Sequence, residues 1–258
     1  MEVVLEFAMF IVLGAIIGFV GALVGIGGGI VAIPMLAIVF DMPQQLAQGT
    51  GMVMIVANVL FAVHGYNKNN KIDFKGVSLA IVVNVIVTYF ASMLVQGVDP
   101  DLLRNCFAVL LFLLSLLYFW QTRPRKNVDL LKGRPEKEYK KMGHVGFFML
   151  GVAAGAVGGF FGVGGSLVAV PVLTMIYGYR QVVAQGIGLA LVLPGVTMGL
   201  ITYSMHGSTD WMIGIPLAIG GVMMVKQGIQ LAVRLSEVFL KRLFAVVLLF
   251  TVVLMLLK

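Results

Sequence analysis

Charge is what this chain has least of. Only 11% of its 258 residues are Asp, Glu, Lys or Arg and 60% are hydrophobic, whereas a soluble domain carries roughly 25% charged residues. With a mean hydropathy of +1.04, that shortage excludes an ordinary soluble enzyme or binding module. It predicts an all-α polytopic membrane protein almost free of soluble domains. Cysteine is nearly absent too: Cys106 is the only one, so no disulfide can form within the chain. In its apolar run it is expected as a small core residue. The three histidines include His64 and His206, each at the end of an apolar run with no cluster of Cys and carboxylates around it, so no metal site is expected. Proton coupling through one of these two remains open. No Ser/His/Asp set and no paired carboxylates fall inside an apolar run, which leaves intramembrane hydrolysis without support and reads the protein as a non-enzyme.

The few charges are uneven. Lys plus Arg number 18 against 11 Asp plus Glu, a net +7, but the bases cluster in the short connections between apolar runs, where the positive-inside rule puts them. Nucleic acid is therefore not an expected partner; the lipid bilayer is. The first residues, Met1-Glu2-Val3-Val4-Leu5-Glu6, are acidic where a secretory signal is basic, so the run that follows is read as a retained membrane segment.

Glycine, by contrast, is abundant and patterned. Residues 14–36 (GAIIGFVGALVGIGGGIVAIPML) and 151–173 (GVAAGAVGGFFGVGGSLVAVPVL) match at 11 of 23 positions with a constant offset of 137. The offset continues through Ala47-Gln48-Gly49 and Ala184-Gln185-Gly186, Gly51 and Gly188, Asp73 and Asp210, and Phe107-Ala108-Val109 and Phe244-Ala245-Val246. The chain is thus an internal duplication: a first transmembrane repeat over 1–121, a basic cytoplasmic linker over 122–142 and a second repeat over 143–258.

Eight runs are long enough to cross a bilayer, which takes about 20 residues: 5–24, 47–63, 77–95, 102–120, 145–161, 182–203, 211–231 and 238–257. Two shorter apolar pieces, 30–40 and 167–177, each reach roughly 16 Å as helix, about half a hydrocarbon core. Whether they cross decides the symmetry. If they do not, 12 bases fall inside and five (Arg104, Arg180, Arg234, Lys241 and Arg242) outside; if they do, 15 fall inside and only Arg104 and Lys258 outside. The second arrangement obeys the positive-inside rule better, and favours inverted repeats with both termini external.

The glycine runs are the first place to look for function. Gly14, Gly18, Gly21 and Gly25, spaced by four and three, suit close helix packing, and alanine at Gly18 or Gly155 is expected to leave substantial function. Gly27-Gly28-Gly29 and Gly164-Gly165-Ser166 exceed what packing needs. Each glycine weakens a helix by about 1 kcal/mol relative to alanine, so helices should break there, and in lipid a break survives only facing protein or a water-filled cavity. Neither copy fits G-x-G-x-x-G, because Ile30 and Leu167 occupy the last glycine position, and no Gly-Lys-Ser/Thr follows; no nucleotide cofactor is indicated. A half-helix N-terminus offers unpaired N–H groups and about half a positive charge, which suits an anion.

The candidate substrate-binding residues are accordingly Gly25, Gly27, Gly28, Gly29, Gln48, Thr50, Gly162, Gly164, Gly165, Ser166 and Gln185, with Pro34 and Pro171 supporting the breaks. Gln48 and Gln185 either orient an oxyanion or make an interhelical hydrogen bond. Lys226 is the one strongly basic residue well inside a span, either a functional cation or a side chain that snorkels to the interface.

GIGGGIVAIPML and GVGGSLVAVPVL, each followed by A-Q-G-x-G, with the Asp73-Phe74 and Asp210-Trp211 segments and the closing Leu240-Lys241-Arg242-Leu243-Phe244-Ala245, resemble the TauE/SafE family, the sulfite exporter or 4-toluene sulfonate uptake permeases. The resemblance covers nearly the whole chain. It implies a cytoplasmic-membrane permease for small sulfur-containing or organic anions such as sulfite, sulfonates or sulfoacetate; a proton or a sodium ion is, apart from the resemblance, the candidate coupling ion. A membrane scaffold in which the glycines only pack helices, and a passive anion channel, are the alternatives. Ser166 where the first copy has Gly29 is a departure from the repeat that adds a donor on one side only.

Overall fold

In the computed structural model, residues 2–69, 74–121 and 142–256 are described, and among them are ten α-helices and no strand. They are α1 (Glu2–Val24), α2 (Gly29–Val39), α3 (Gln44–Asn69), α4 (Phe74–Leu94), α5 (Pro100–Gln121), α6 (His144–Phe161), α7 (Ser166–Met175), α8 (Gln181–Met205), α9 (Trp211–Arg234) and α10 (Glu237–Leu256), with one 3-10 turn at Val95–Gly97. Eight of the ten are long and apolar enough to cross a membrane, and α2 and α7 are the short pair. The expected spans are all present within a few residues of their ends. The linker expected over 122–142 lies outside the described residues except for Met142.

The sequence order does not place the repeats side by side. A Cβ on Gly18 would collide with the backbone of Gly221, one on Gly14 with that of Leu217, and one on Gly228 would stand 2.6 Å from the carbonyl oxygen of Phe19. Numbers rise together along both helices, so α1 and α9 run parallel, with their backbones in contact. The same holds for α6 and α4, where Gly151 meets Ala80, Gly155 meets Asn84 and Gly159 meets Thr88. The first long helix of each repeat therefore packs on the fourth helix of the other.

Without an apolar driving force between helices in lipid, such approaches depend on small residues that bring backbones together. The expectation that alanine at Gly18 or Gly155 is mild is corrected by this contact. A Cβ at Gly18 would be 2.6 Å from the Gly221 carbonyl oxygen, and one at Gly155 would be 2.8 Å from that of Asn84; both obstacles are backbone, which cannot rotate away. Cys106 is also corrected: it is exposed rather than in the core, because α5 turns that face outward together with Leu102, Val109 and Leu113.

At the centre, α3 and α8 run antiparallel: Tyr66 meets Gln185, Tyr203 meets Gln48, and Met52 lies against Gly199. On their flanks α9 runs parallel to α3, through Gly214 beside Val53, Gly221 beside Asn58 and Gly65 beside Ile229. Since α1 and α3 both run with α9, the chain must turn back between them, and α2 is that return. Gly29 lies beside Ile55 while Gly51, one turn earlier on α3, lies beside Ile33. Thus α2 starts level with the middle of α3 and ends near its beginning. The α7/α8 pair repeats this with Gly164 beside Val192 and Gly188 beside Val170. Helices α5 and α10 pair with each other through Ser115 Oγ donating to the Ala245 carbonyl at 3.2 Å and the stacked rings of Tyr118 and Phe244.

Candidate functional site: two helix breaks that meet

Glycine is required by conformation at both breaks. Gly25, Gly27 and Gly28 have φ of 79°, 76° and 96°, and Gly162 and Gly164 of 71° and 69°, values that cost an ordinary residue about 1 kcal/mol or more. Helix α1 closes with Gly25 N–H and Ile26 N–H both donating to the Gly21 carbonyl, and α6 closes with Gly162 N–H donating to Gly158 at 3.0 Å. Each short helix then begins at a glycine, Gly28 or Gly165, with no side-chain cap. The first N–H groups with a helical acceptor are those of Val31 and Val168, donating to the Gly28 and Gly165 carbonyls at 3.1 Å, so the N–H groups before them stand at the break without an intrahelical partner.

The two breaks touch. A Cβ on Gly29 would be 3.3 Å from Cα of Val163, and the fully buried Ile55 side chain packs against Gly27 and Gly29 and reaches toward Gly164. Pro34 and Pro171 are buried inside α2 and α7. Having no N–H, each leaves the carbonyl four residues earlier, at Ile30 or Leu167, without its helical donor, which adds polar backbone next to the breaks.

Each break is covered by a glutamine from the other repeat. Gln185 lies across Gly25: its Nε2 donates to the Val24 carbonyl at 2.7 Å and the Leu23 carbonyl at 3.4 Å, and its Oε1 accepts from Tyr66 Oη at 3.1 Å. Tyr66 Oη also donates to the Ala22 carbonyl at 2.8 Å. Gln48 lies across Gly162, where a Cβ would stand 2.7 Å from its own, and its Oε1 accepts from Tyr203 Oη at 2.7 Å while that hydroxyl also meets the Gly159 carbonyl at 3.2 Å.

Tyr66 and Tyr203, Gln48 and Gln185, and Ala22 and Gly159 are all 137 apart, so these are two copies of one arrangement. They differ in one bond. Gln185 uses its amide donors on α1, whereas Gln48 Nε2 is fully buried with no partner, and so is Ser166 Oγ.

Two more amides frame the breaks. Asn58 Nδ2 donates to the Gly27 carbonyl at 3.3 Å, and Asn58 lies against Gly221 while Asn84 lies against Gly195. Position 195 is the repeat of 58, and 221 the repeat of 84, so each asparagine faces a glycine that makes room for it. Among the described residues every buried polar side chain here is an amide, a hydroxyl or a phenol; none is a carboxylate, lysine, arginine or histidine. An anion at the breaks would therefore meet only neutral donors and helix dipoles.

The family profile described as Sulfite exporter TauE/SafE matches residues 10–255. The chain belongs to the TauE/SafE family. It is similar to the probable membrane transporter protein MJ0441 of Methanocaldococcus jannaschii, 26% identical over 92% of this chain and 88% of the relative. It is also similar to a probable membrane transporter protein of Xylella fastidiosa, 27% identical over 86% and 84%, and to the probable membrane transporter protein YunE of Bacillus subtilis, 23% identical over 84% and 85%. No solved structure matches. This TauE/SafE protein is thus a multi-pass membrane transporter.

Not every expected site residue joins the breaks. The glycines, Ser166, Gln48 and Gln185 converge, but Thr50 points elsewhere. Its Oγ1 accepts from the Asp210 N–H at 2.9 Å, and Asp210 in turn caps α9 by accepting from Met212 and Ile213. Lys226 is on the exposed face of α9, away from the breaks. His64 and His206 are exposed as well, with His206 Nδ1 against the Thr202 carbonyl at 2.8 Å. Tyr66 and Tyr203 are the functional candidates that sequence reasoning passed over, although each stands 18 residues after its glutamine at the common offset.

Proposed function

We propose that this protein is a secondary transporter of small anions, sulfur-containing oxyanions or organosulfonates such as sulfite or sulfoacetate, bound where the two breaks meet. The observation that carries the reading is the fully buried pair of unpartnered groups, Gln48 Nε2 and Ser166 Oγ, beside two uncapped helix N-termini. Burying a donor without a partner costs about 1–3 kcal/mol, a cost that an anion removes by accepting the bond. Neutral donors also suit transit. A buried lysine would hold an anion tightly, whereas amides and dipoles bind it weakly enough to let it leave.

Reconstitution in liposomes with sulfite, thiosulfate and sulfoacetate tests this: saturable flux of at least one is expected, and failure to bind or move any of them would sink the reading. Imposed proton and sodium gradients then separate the two coupling ions.

The repeats, 1–121 and 143–258 joined by 122–142, are read as inverted. Support comes from α3 and α8, which are equivalent at the 137 offset yet pack antiparallel, and from α2, whose return gives each repeat an odd number of passes. Both termini then lie on the face opposite the linker; the bases favour a cytoplasmic linker, and the family resemblance is what supports the cell's inner membrane. A reporter fused after Lys258 is expected to score as external; a cytoplasmic score would restore parallel repeats.

A further inference from the structure

A cleft of about 310 Å³ opens where α2 ends, α3 begins and α5 begins, lined by Ala37, Asp41, Gln44, Pro100, Asp101 and Arg104 among others. Three features converge on it. Gln44, the first residue of α3, is 97% buried, and neither its Nε2 nor its Oε1 has a partner. The first turn of α3 holds no acidic residue, so the positive end of this 26-residue helix is not neutralised from within. Arg104, whose side chain is only 22% exposed, is ion-paired at 3.1 Å with Asp101, which is 75% exposed.

A buried amide with both ends unsatisfied is costly unless a ligand completes it. An exposed i, i+3 ion pair is worth little, so Asp101 is an easily displaced occupant of Arg104. Gln44 also stands one helical turn before Gln48, on the same face of α3, which leads from the cleft toward the unpartnered donor at the second break.

We propose that this cleft is a second oxyanion site, the mouth of the permeation path. A small oxyanion there bridges the Arg104 guanidinium and the Gln44 amide at the α3 N-terminus and takes the place of the Asp101 carboxylate. The site's place on the path rests on the transport reading, but its occupancy does not and is measured without flux.

The test is chemical protection of Arg104 in the purified full chain. Phenylglyoxal labels accessible guanidinium groups, and peptide mass spectrometry reads Arg104 separately from Arg180, which is exposed and paired with Glu237 at 3.4 Å. Methanesulfonate, which does not react with the reagent, is the probe, against choline chloride at equal ionic strength. Labelling of Arg104 is expected to slow several-fold in methanesulfonate while Arg180 is unchanged. Gln44→Leu should raise the half-protecting concentration about tenfold, the loss of a hydrogen bond to a charged ligand. Asp101→Asn should lower it, because the competing carboxylate is gone. These opposite signs distinguish a ligand site from a general effect on folding.

No protection, equal protection of Arg180, or an unchanged half-protecting concentration in both variants would overturn the proposal. Flux in liposomes without protection removes the mouth and leaves the transport reading standing. Protection without flux removes the transport reading, and with it the site's place on a path, and leaves the oxyanion site standing.

Discussion

Leucine in place of Gly28 is expected to abolish transport. Gly28 has a φ of 96° and starts α2, and a Cβ there would already be 3.1 Å from Met54 Cε, 3.2 Å from Ile17 Cγ2 and 3.3 Å from the Ile17 carbonyl oxygen. A leucine therefore carries both the strain of the left-handed region, about 1–2 kcal/mol, and an overpacking cost of about 1–3 kcal/mol. Relief by rotating φ back to a helical value would run helix through the break and remove the exposed N–H groups. Gly165→Leu should fail as well, for another reason. Its φ is not positive, but a Cβ would strike the Ala154 backbone, with the carbonyl carbon close behind its oxygen, so α6 and α7 would be forced apart. Gly97→Ala, with open space around its Cβ position, is the control and should retain full flux. Binding measured on folded, monodisperse variants is the readout: full affinity in both leucine variants would remove the anion from the breaks and leave glycine only its packing role.

Much of this arrangement is legible in the residues themselves. The eight long spans announce themselves because lipid demands long apolar runs, and the half-length of α2 and α7 follows from glycines that break a helix and prolines that stand one turn later. The 137-residue offset locates both breaks and both glutamines. It also marks Tyr66 and Tyr203, but a tyrosine near the end of a span reads as an interfacial anchor, and only the fold shows each hydroxyl bonded to a glutamine from the other repeat.

The residues that lie apart from the breaks do so for different reasons. Thr50 follows Gln48 by two positions, and on a helix two positions is more than half a turn, so the same sequence motif that puts Gln48 over the break points Thr50 to the α9 cap. Lys226 and Cys106 could not be assigned to a face because spans that are apolar all round give no periodic signal for which side meets lipid. Nor could Gly18 be separated from a tolerant packing glycine, since how closely α1 approaches α9 depends on two repeats interlocking at a distance of about 200 residues in sequence.

Gln48 and Gln185 should separate sharply when replaced. Sequence alone assigns them one role, but their amides are spent differently. In Gln185→Leu the Val24 carbonyl loses its 2.7 Å donor and Tyr66 Oη loses an acceptor, so buried groups of α1 are left unpaired at about 1–3 kcal/mol. The expected result is a lowered melting temperature, together with reduced flux. Gln48 holds only Tyr203 through Oε1, and its Nε2 already lacks a partner. Gln48→Leu should therefore cost less stability and show its effect in anion affinity, roughly tenfold for a lost bond to a charged ligand. Gln48→Glu is the stronger test, because it has nearly the same shape and keeps an acceptor for Tyr203. In its ionised form it turns the free donor toward the break into a negative charge, and like-charge juxtaposition at a buried contact costs several kcal/mol. Burial disfavours that ionised form, so the test is made at a pH high enough to ionise the carboxyl, where anion binding should fall below detection while the protein stays folded. Retained affinity in Gln48→Glu, with the melting temperature unchanged, would show that Gln48 Nε2 does not face the anion, and the unpartnered donor would lose its place in the transport site.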